Sequence, residues 1–538
     1  MRLFALFSSP FFLWAGLSHD LHVALQSMQE LRVLIPDRLS VQEFAIFPES
    51  SCQEKRESEE AGSCWSSYSH FFYLRWTFSG DPIRILDRYL EFEYSAFWRT
   101  PGAEEHLRKM EALAESSSCS NAECETNWNE VSFCGNRSSS PGLLRDYLQQ
   151  QSGDSVGEKK LVGGLARMNQ NPFRRTDAVL KEKGDLELVT VDRLPYRVYS
   201  GADNTGTVAT DRERFFFGLN IGKTVIADSE ISYQLTTAPE WSRFNAQTFF
   251  CRIPSVLSQT FLFYGGYTQV QPKNADREVA KNWQLDGRYR IPFHTKTFLQ
   301  ELLLGYDFKE VISTVHPEGR EKFHGVADIN QFMVGWDLGV AREDLLFSLV
   351  LELYGNPGGI TTRNKSEDYE LFVPGSGPGY VYGKLTNSLA LSWKGWKTSY
   401  NLNLQAASKN LLPSEQYNLS GYYAVRGFEE RIVSTDNALF FNLTLQAPSF
   451  GIGKLSGLSR SAFDEFTAYL FFDYGLGSDH TVTAGESSWQ SLASCGPGLR
   501  YQIDRYLSAH LDYGFQLFHH GFNNPTDSQY NFGLIVSF

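Results

Sequence analysis

Beyond its N-terminus the 538-residue sequence has no long apolar run. A bundle of membrane-spanning helices, each needing about 20 consecutive apolar residues, is therefore excluded. There is no basic excess either: 49 Lys and Arg stand against 62 Asp and Glu, a net charge of -13. Nucleic acid needs a basic surface and is not expected as a partner. The 7 Cys and 11 His show no zinc-type spacing, and His519-His520 read as solvated, so no metal is expected. Gly375-Ser376-Gly377-Pro378-Gly379 lacks the Lys-Ser/Thr of a phosphate loop and reads as loop punctuation. A nucleophile elbow beside a triad-like set is missing. Neither a cofactor nor an enzymatic activity is expected.

Aromatic residues are plentiful, with 41 Phe and 26 Tyr, which excludes a disordered chain. The length exceeds one ordinary soluble domain. Mean hydropathy is nevertheless low, at -0.31. A transmembrane β-barrel reconciles these facts, because lipid-facing and lumen-facing residues alternate along every strand. From about residue 195 onward that alternation is explicit. Tyr530, Phe532, Leu534, Val536 and Phe538 oppose Asn531, Gly533, Ile535 and Ser537. Leu511, Tyr513 and Phe515 oppose His510, Asp512 and Gly514, and Leu402 and Leu404 oppose Asn401, Asn403 and Gln405.

Counting such segments over 195–538 gives about sixteen, an even number as expected for a bacterial barrel. Short connections are expected near 223–226, 292–294, 342, 395 and 504–506. Long ones are expected near 311–327, 356–379, 410–435, 476–490 and 518–528. They fall on opposite sides in turn, as periplasmic turns and external loops do. The connection near 448–463 is longer than that rule allows.

Met1-Arg2 followed by two short apolar runs reads as a signal peptide over 1–18 with a loose cleavage match. Residues 19–125 are expected to form a periplasmic N-terminal region, with 19–35 a candidate lumenal plug helix. Five of the cysteines lie early, at Cys52, Cys64, Cys119, Cys124 and Cys134. At least one disulfide is expected among them. Cys52–Cys64 is the candidate, closing a loop worth at most about 3 kcal/mol. Over 126–193 the pattern is strand, helix, helix, strand, strand, a small α+β unit. Glu429-Glu430-Arg431 and Asp504-Arg505 read as solvated charges.

Tyr422-Tyr423-Ala424-Val425-Arg426-Gly427-Phe428 resembles the V-R-G-[FY] signature of outer-membrane transporters that carry periplasmic POTRA domains. It falls between the eleventh and twelfth expected strands, where that superfamily places its sixth external loop. Phe471, Asp473 and Gly475 match the F-x-D-x-G element of the following strand. Asn169-Gln170-Asn171-Pro172-Phe173-Arg174 is similar to the end of a second POTRA domain. Tyr199 to Gly206 resembles the start of the first barrel strand, "DN-x-G", with Thr210-Asp211 departing from the Thr-Gly that follows in the family. The resemblance is to two-partner secretion transporters of the haemolysin secretion/activation (TpsB) type and covers about 130–538. Residues 126–193 would then be a POTRA domain, while 19–125 holds no recognisable copy and could contain a degenerate one.

The resemblance implies a channel exporting an unfolded exoprotein, an adhesin or haemolysin, through the outer membrane. It also implies that Val425, Arg426, Gly427 and Phe428 fold into the lumen, where Arg426 meets Asp473. Alternation independently turns Asp473 inward, since an ionised group facing lipid is costly, about 2–4 kcal/mol for Arg or Lys and less for Asp. Asn531, Gly533, Val536 and Phe538 resemble the C-terminal signal read by the barrel assembly machinery, which with outer-membrane lipid completes the expected partners. The alternatives are an insertase of the same superfamily, disfavoured because about 160 residues before the barrel leave room for two POTRA domains at most, and a passive porin.

Overall fold

The computed structural model describes residues 195–538, apart from 223–227, 256–258, 274–278, 294–298, 316–322, 342–344, 452–463, 483–486, 504–505 and 525. It also describes parts of 127–192. The expected signal peptide, the candidate plug helix, the Cys52–Cys64 pair and the rest of 19–125 lie outside the described residues.

Sixteen antiparallel strands close into one barrel. In chain order they are β1 (Tyr196–Asp203), β2 (Arg214–Ile221), β3 (Glu230–Thr237), β4 (Phe244–Pro254), β5 (Thr260–Val270), β6 (Val279–Pro292), β7 (Leu299–Val315) and β8 (Phe323–Ala341). The second half comprises β9 (Leu345–Asn356), β10 (Tyr380–Trp393), β11 (Trp396–Ala407), β12 (Asn437–Gln446), β13 (Asp464–Ser478), β14 (Trp489–Ile503), β15 (Leu507–His520) and β16 (Ser528–Ser537). Each strand pairs with its sequence neighbours, and β16 returns to β1 with Ser537 opposite Tyr199 and Gly533 opposite Asp203. Closure matters because a sheet edge in hydrocarbon would leave backbone groups unpaired.

The expected two faces are the inside and outside of this wall. Phe215, Phe217, Phe263, Leu353, Leu470 and Phe515 are exposed on the outer face, while Asn220, Gln234, Asn282, Asn401, Asn442 and Ser494 are buried within. Apolar residues outside and polar residues inside reverse the order of a soluble protein, as a lipid-bounded, polar-lined barrel requires. No described helix is long and apolar enough to cross a membrane.

The loop expectation over 311–327 is corrected. β7 continues to Val315 and β8 begins at Phe323, with Val315 still paired to Phe323. About 9–11 residues suffice to cross a bilayer, so this hairpin runs past the lipid with its ladder intact. The 476–490 segment is shortened in the same way, because β13 reaches Ser478 and β14 starts at Trp489.

Before the barrel, Val131–Cys134 runs parallel to Leu186–Asp192, which pairs antiparallel with Arg174–Leu180. A helix, Pro141–Tyr147, follows the first of these strands. Ser140 caps it by accepting the Leu143 N–H at 3.3 Å, and Pro141 occupies the first turn, where no donor is lost.

Candidate functional site

The barrel is not an open pipe. Two external connections, 357–379 and 408–436, fold into the wall's outer end. Tyr369, Phe372 and Val373 of the first and Leu411 and Leu412 of the second form one apolar cluster with wall residues such as Ile329 and Tyr380. Asn410 ties the connections together. Its amide donates to the Pro374 carbonyl at 3.0 Å and the Thr481 carbonyl at 2.9 Å, and its oxygen accepts the Thr481 N–H at 2.9 Å.

The 408–436 loop is knit before it is anchored. Tyr417 pairs with Thr435 and Asn418 with Ser434, which holds the two legs together. Further in, the Leu419 N–H donates to Val433 O at 2.9 Å and the Val425 N–H donates to Leu419 O at 3.1 Å. Gly421 and Gly427 have φ of 109° and 88°, conformations open to glycine at little steric cost. An apolar face of Leu419, Val425, Phe428 and Val433 packs against Phe440 and Leu492 of the wall.

This fold aims Arg426 at two carboxylates. Its Nε donates to Asp473 Oδ2 at 2.7 Å, and Nη2 donates to Asp473 Oδ1 at 3.2 Å. Nη1 donates to Asp512 Oδ1 at 2.8 Å. The guanidinium lies 3.4 Å from the centroid of the Phe471 ring. Asp473 also accepts from Asn442 Nδ2 at 2.5 Å, and Asp512 accepts from the Tyr469 hydroxyl at 2.7 Å. Both carboxylate side chains are 0% exposed. A planar fork shared between two carboxylates is geometry that only guanidinium supplies. Burial acts to lower the pKa of Arg426, but Asp473 and Asp512 more than reverse it, so the charge is retained.

Around that contact, space is made by glycine. A Cβ on Gly427 would stand 2.8 Å from Gly514 O, and one on Gly514 would stand 2.5 Å from Gly427 Cα. A Cβ on Gly475 would meet Val425 at 3.0 Å. Thus Val425, Arg426, Gly427, Phe428, Phe471, Asp473 and Gly475 converge on one lumenal site.

Asn531, Gly533, Val536 and Phe538 lie apart, on the strand that closes the barrel. Gly533 leaves room for the His510 ring, which a Cβ would meet at 2.3 Å. The Phe538 N–H donates to Val198 O at 2.8 Å.

Asp512 was not singled out by motif, although its inward place between Leu511 and Tyr513 is the same signal that marks Asp473. One reading is corrected: Glu429 and Glu430 are buried, because the loop turns into the barrel rather than out into solvent. Glu430 Oε1 accepts the Tyr422 N–H at 2.6 Å, and Glu429 pairs with Arg212.

A second cluster joins the α+β unit to the barrel. Arg174 donates to Asp228, in the β2–β3 connection, from Nη1 at 3.0 Å and Nη2 at 2.6 Å. Asn171 Nδ2 donates to Asp228 at 2.7 Å and to the Gly222 carbonyl at 2.9 Å, and the Tyr147 hydroxyl donates to the same carboxylate. Phe173 occupies the space a side chain at Gly222 would need. The motif was legible in the sequence, but its docking partner was not.

A model of the haemolysin secretion/activation protein family ShlB/FhaC/HecB matches residues 333–501, which contain the loop and Asp473 but not Asp512. No curated protein sequence matches the chain. Among solved structures, CdiB from Escherichia coli is similar with a TM-score of 0.65 and 12% identity, over 97% of this chain and 98% of that one. CdiB from Acinetobacter baumannii is similar with a TM-score of 0.60 and 13% identity, over 99% of each. The barrel fold is thus shared with these proteins, and the stretch that carries the lumenal loop is the one that matches the haemolysin secretion/activation family model.

Proposed function

We propose that the chain is an outer-membrane transporter of the two-partner secretion type that exports a partner exoprotein, that the 408–436 loop is its gate, and that Arg426 anchors the loop in the lumen. The observation that carries this reading is the buried guanidinium shared between Asp473 and Asp512. Removing one partner of a buried pair leaves an uncompensated charge and costs about 3–5 kcal/mol, so the contact fixes the loop's depth rather than decorating its surface. An unfolded exoprotein has to displace the loop to pass. The unit over 126–193 acts as a POTRA domain that captures the substrate by strand addition to an open sheet edge. Folding of the exported protein outside supplies the drive. Asn531, Gly533, Val536 and Phe538 form the strand read by the barrel assembly machinery before closure, and the exposed outer belt takes outer-membrane lipid.

Arg426→Ala is expected to give a folded barrel, seen as heat-modifiable migration on gels, whose export of the partner falls at least tenfold. Wild-type export by this variant overturns the assignment. Exchanging the charges, Arg426→Asp with Asp473→Arg, tests direct contact, and its partial rescue is expected to be limited because Asp512 then faces an aspartate.

A further inference from the structure

The loop that presents Arg426 touches the wall in a second place. Glu415 lies on its first leg, and its side chain is 2% exposed. One carboxylate oxygen accepts from Lys309 Nζ on β7 at 2.6 Å. The other accepts from the Tyr382 hydroxyl on β10 at 2.8 Å and from Gln331 Nε2 on β8 at 2.9 Å. The Glu415 backbone carbonyl accepts from Gln405 Nε2 on β11 at 2.9 Å. This pocket is braced from behind. Gln331 Oε1 accepts from the Tyr380 hydroxyl at 3.0 Å, and Tyr354 stacks on Tyr382 with ring centroids 4.7 Å apart.

These partners belong to a different sector of the wall from those of Arg426. Lys309, Gln331 and Tyr382 lie on β7, β8 and β10, whereas Asp473 and Asp512 lie on β13 and β15. The two anchors also have opposite polarity: a loop anion meets a wall cation at one, and a loop cation meets wall anions at the other. An exposed ion pair would hold little. Here donors from three strands fill one buried carboxylate, and losing its charge weakens all of these contacts, the 2.6 Å ion pair with Lys309 most.

We propose that Glu415 is a second, independent anchor of the lumenal loop, so that the loop is a strut fastened to two wall sectors and opens fully only when both are released. This rests on the reading of the loop as the gate. Glu415 is a positioning residue, since it acts through where it holds the loop. A substrate that frees Arg426 alone would still face a leg pinned to β7–β10. Two unlike locks make spontaneous opening rarer than either lock would, because the two costs multiply in the population of the open state.

The test is single-channel recording of the full-length protein in planar bilayers, without substrate. Glu415→Gln preserves shape and removes the charge. It is expected to raise the open fraction about tenfold over wild type, as a shift of about 1.4 kcal/mol in the gate equilibrium does. Lys309→Met is expected to do the same. Joining Glu415→Gln to Arg426→Ala is expected to open the pore more than either alone. All variants are checked for heat-modifiable migration, so that misfolding is not read as opening. Wild-type traces from a folded Glu415→Gln variant overturn the proposal, as does a double variant no more open than Arg426→Ala. Failure of the export reading is separate: the wild-type chain would secrete no partner while Glu415→Gln still altered conductance.

Discussion

At the residue scale, burial gives charged groups in the loop roles that their sequence context conceals. Glu430 is the clearest. Its carboxyl is buried and lies against the Tyr422 N–H, and a Cβ on Gly421 would come within 2.1 Å of it. Burial is the main reason its pKa is pushed up, to about 8; Glu429 adds to this, while the Tyr422 N–H and Arg214 oppose it. A carboxyl raised above its ordinary 4.5 binds its proton more tightly in the folded loop than in the unfolded one. The stability this contributes is full below pH 4.5 and is lost as pH rises toward about 8. The loop is therefore expected to loosen across that window and then level off. Glu430→Gln, a neutral mimic, is expected to flatten the profile. Protease cleavage within 417–435 of the folded barrel, followed against pH, measures this. An unchanged slope in Glu430→Gln would assign the dependence elsewhere.

At the scale of elements, the seam between β1 and β16 shows what a motif holds once its geometry is seen. β1 stops at Asp203, whose carboxylate accepts the Thr205 N–H at 2.9 Å and the Thr205 hydroxyl at 2.6 Å, turning the chain away. β16 continues upstream beyond that point, and the Asn204 side chain stands in for the missing strand. Its Oδ1 accepts the Phe532 N–H at 2.8 Å, and its Nδ2 donates to the Tyr530 carbonyl at 2.8 Å. Only a primary amide makes both bonds. Asn204→Ala is expected to cost about 1–3 kcal/mol, two bonds at about 0.5–1.5 kcal/mol each. Asn204→Asp is expected to cost more, because it sets a carboxylate against a carbonyl. The midpoint temperature for loss of heat-modifiable migration reports both, and equality with wild type would remove the clasp from the account. The "DN" pair was visible in the sequence as a family resemblance, but its bonds were not, since they join residues separated by more than 300 positions. The strands themselves were legible because alternation is local. Inward placement of Asp473 followed from the same period. Asp512, Glu415 and Asp228 were missed as partners because each is chosen by which distant strand or loop arrives opposite, and a period of two carries no such information.

At the scale of the whole molecule, the proposed function needs the α+β unit held in register with the pore, and among the described residues the Arg174–Asp228 cluster joins the two. Burial would raise the pKa of Asp228, but the Arg174 charge, together with hydrogen bonds from Arg174, Tyr147 and Asn171, more than reverses it, so the carboxylate is held below its ordinary 3.8. A depressed carboxylate stabilises docking above that ordinary value, and the contribution disappears only as pH falls through the lower, folded value. The unit is therefore expected to stay docked from neutral pH down to about 4 and to release only in stronger acid. Asp228→Asn should release it at every pH, because Arg174, with a side chain 2% exposed, loses its counter-charge at a cost of about 3–5 kcal/mol. Spin labels on an otherwise cysteine-free chain can read this, one at Gly142, where a Cβ meets nothing within 4 Å, and one in the 394–395 turn on the same end of the barrel. A single narrow distance distribution is expected for wild type at pH 7 and a broad one for Asp228→Asn. The narrow distribution should also persist at pH 5, which separates this contact from Glu430, whose influence changes between pH 4.5 and 8. A narrow distribution in Asp228→Asn would mean that the unit is positioned by something other than this carboxylate, and its register with the pore would then rest on Asn171 and Phe173 against Gly222.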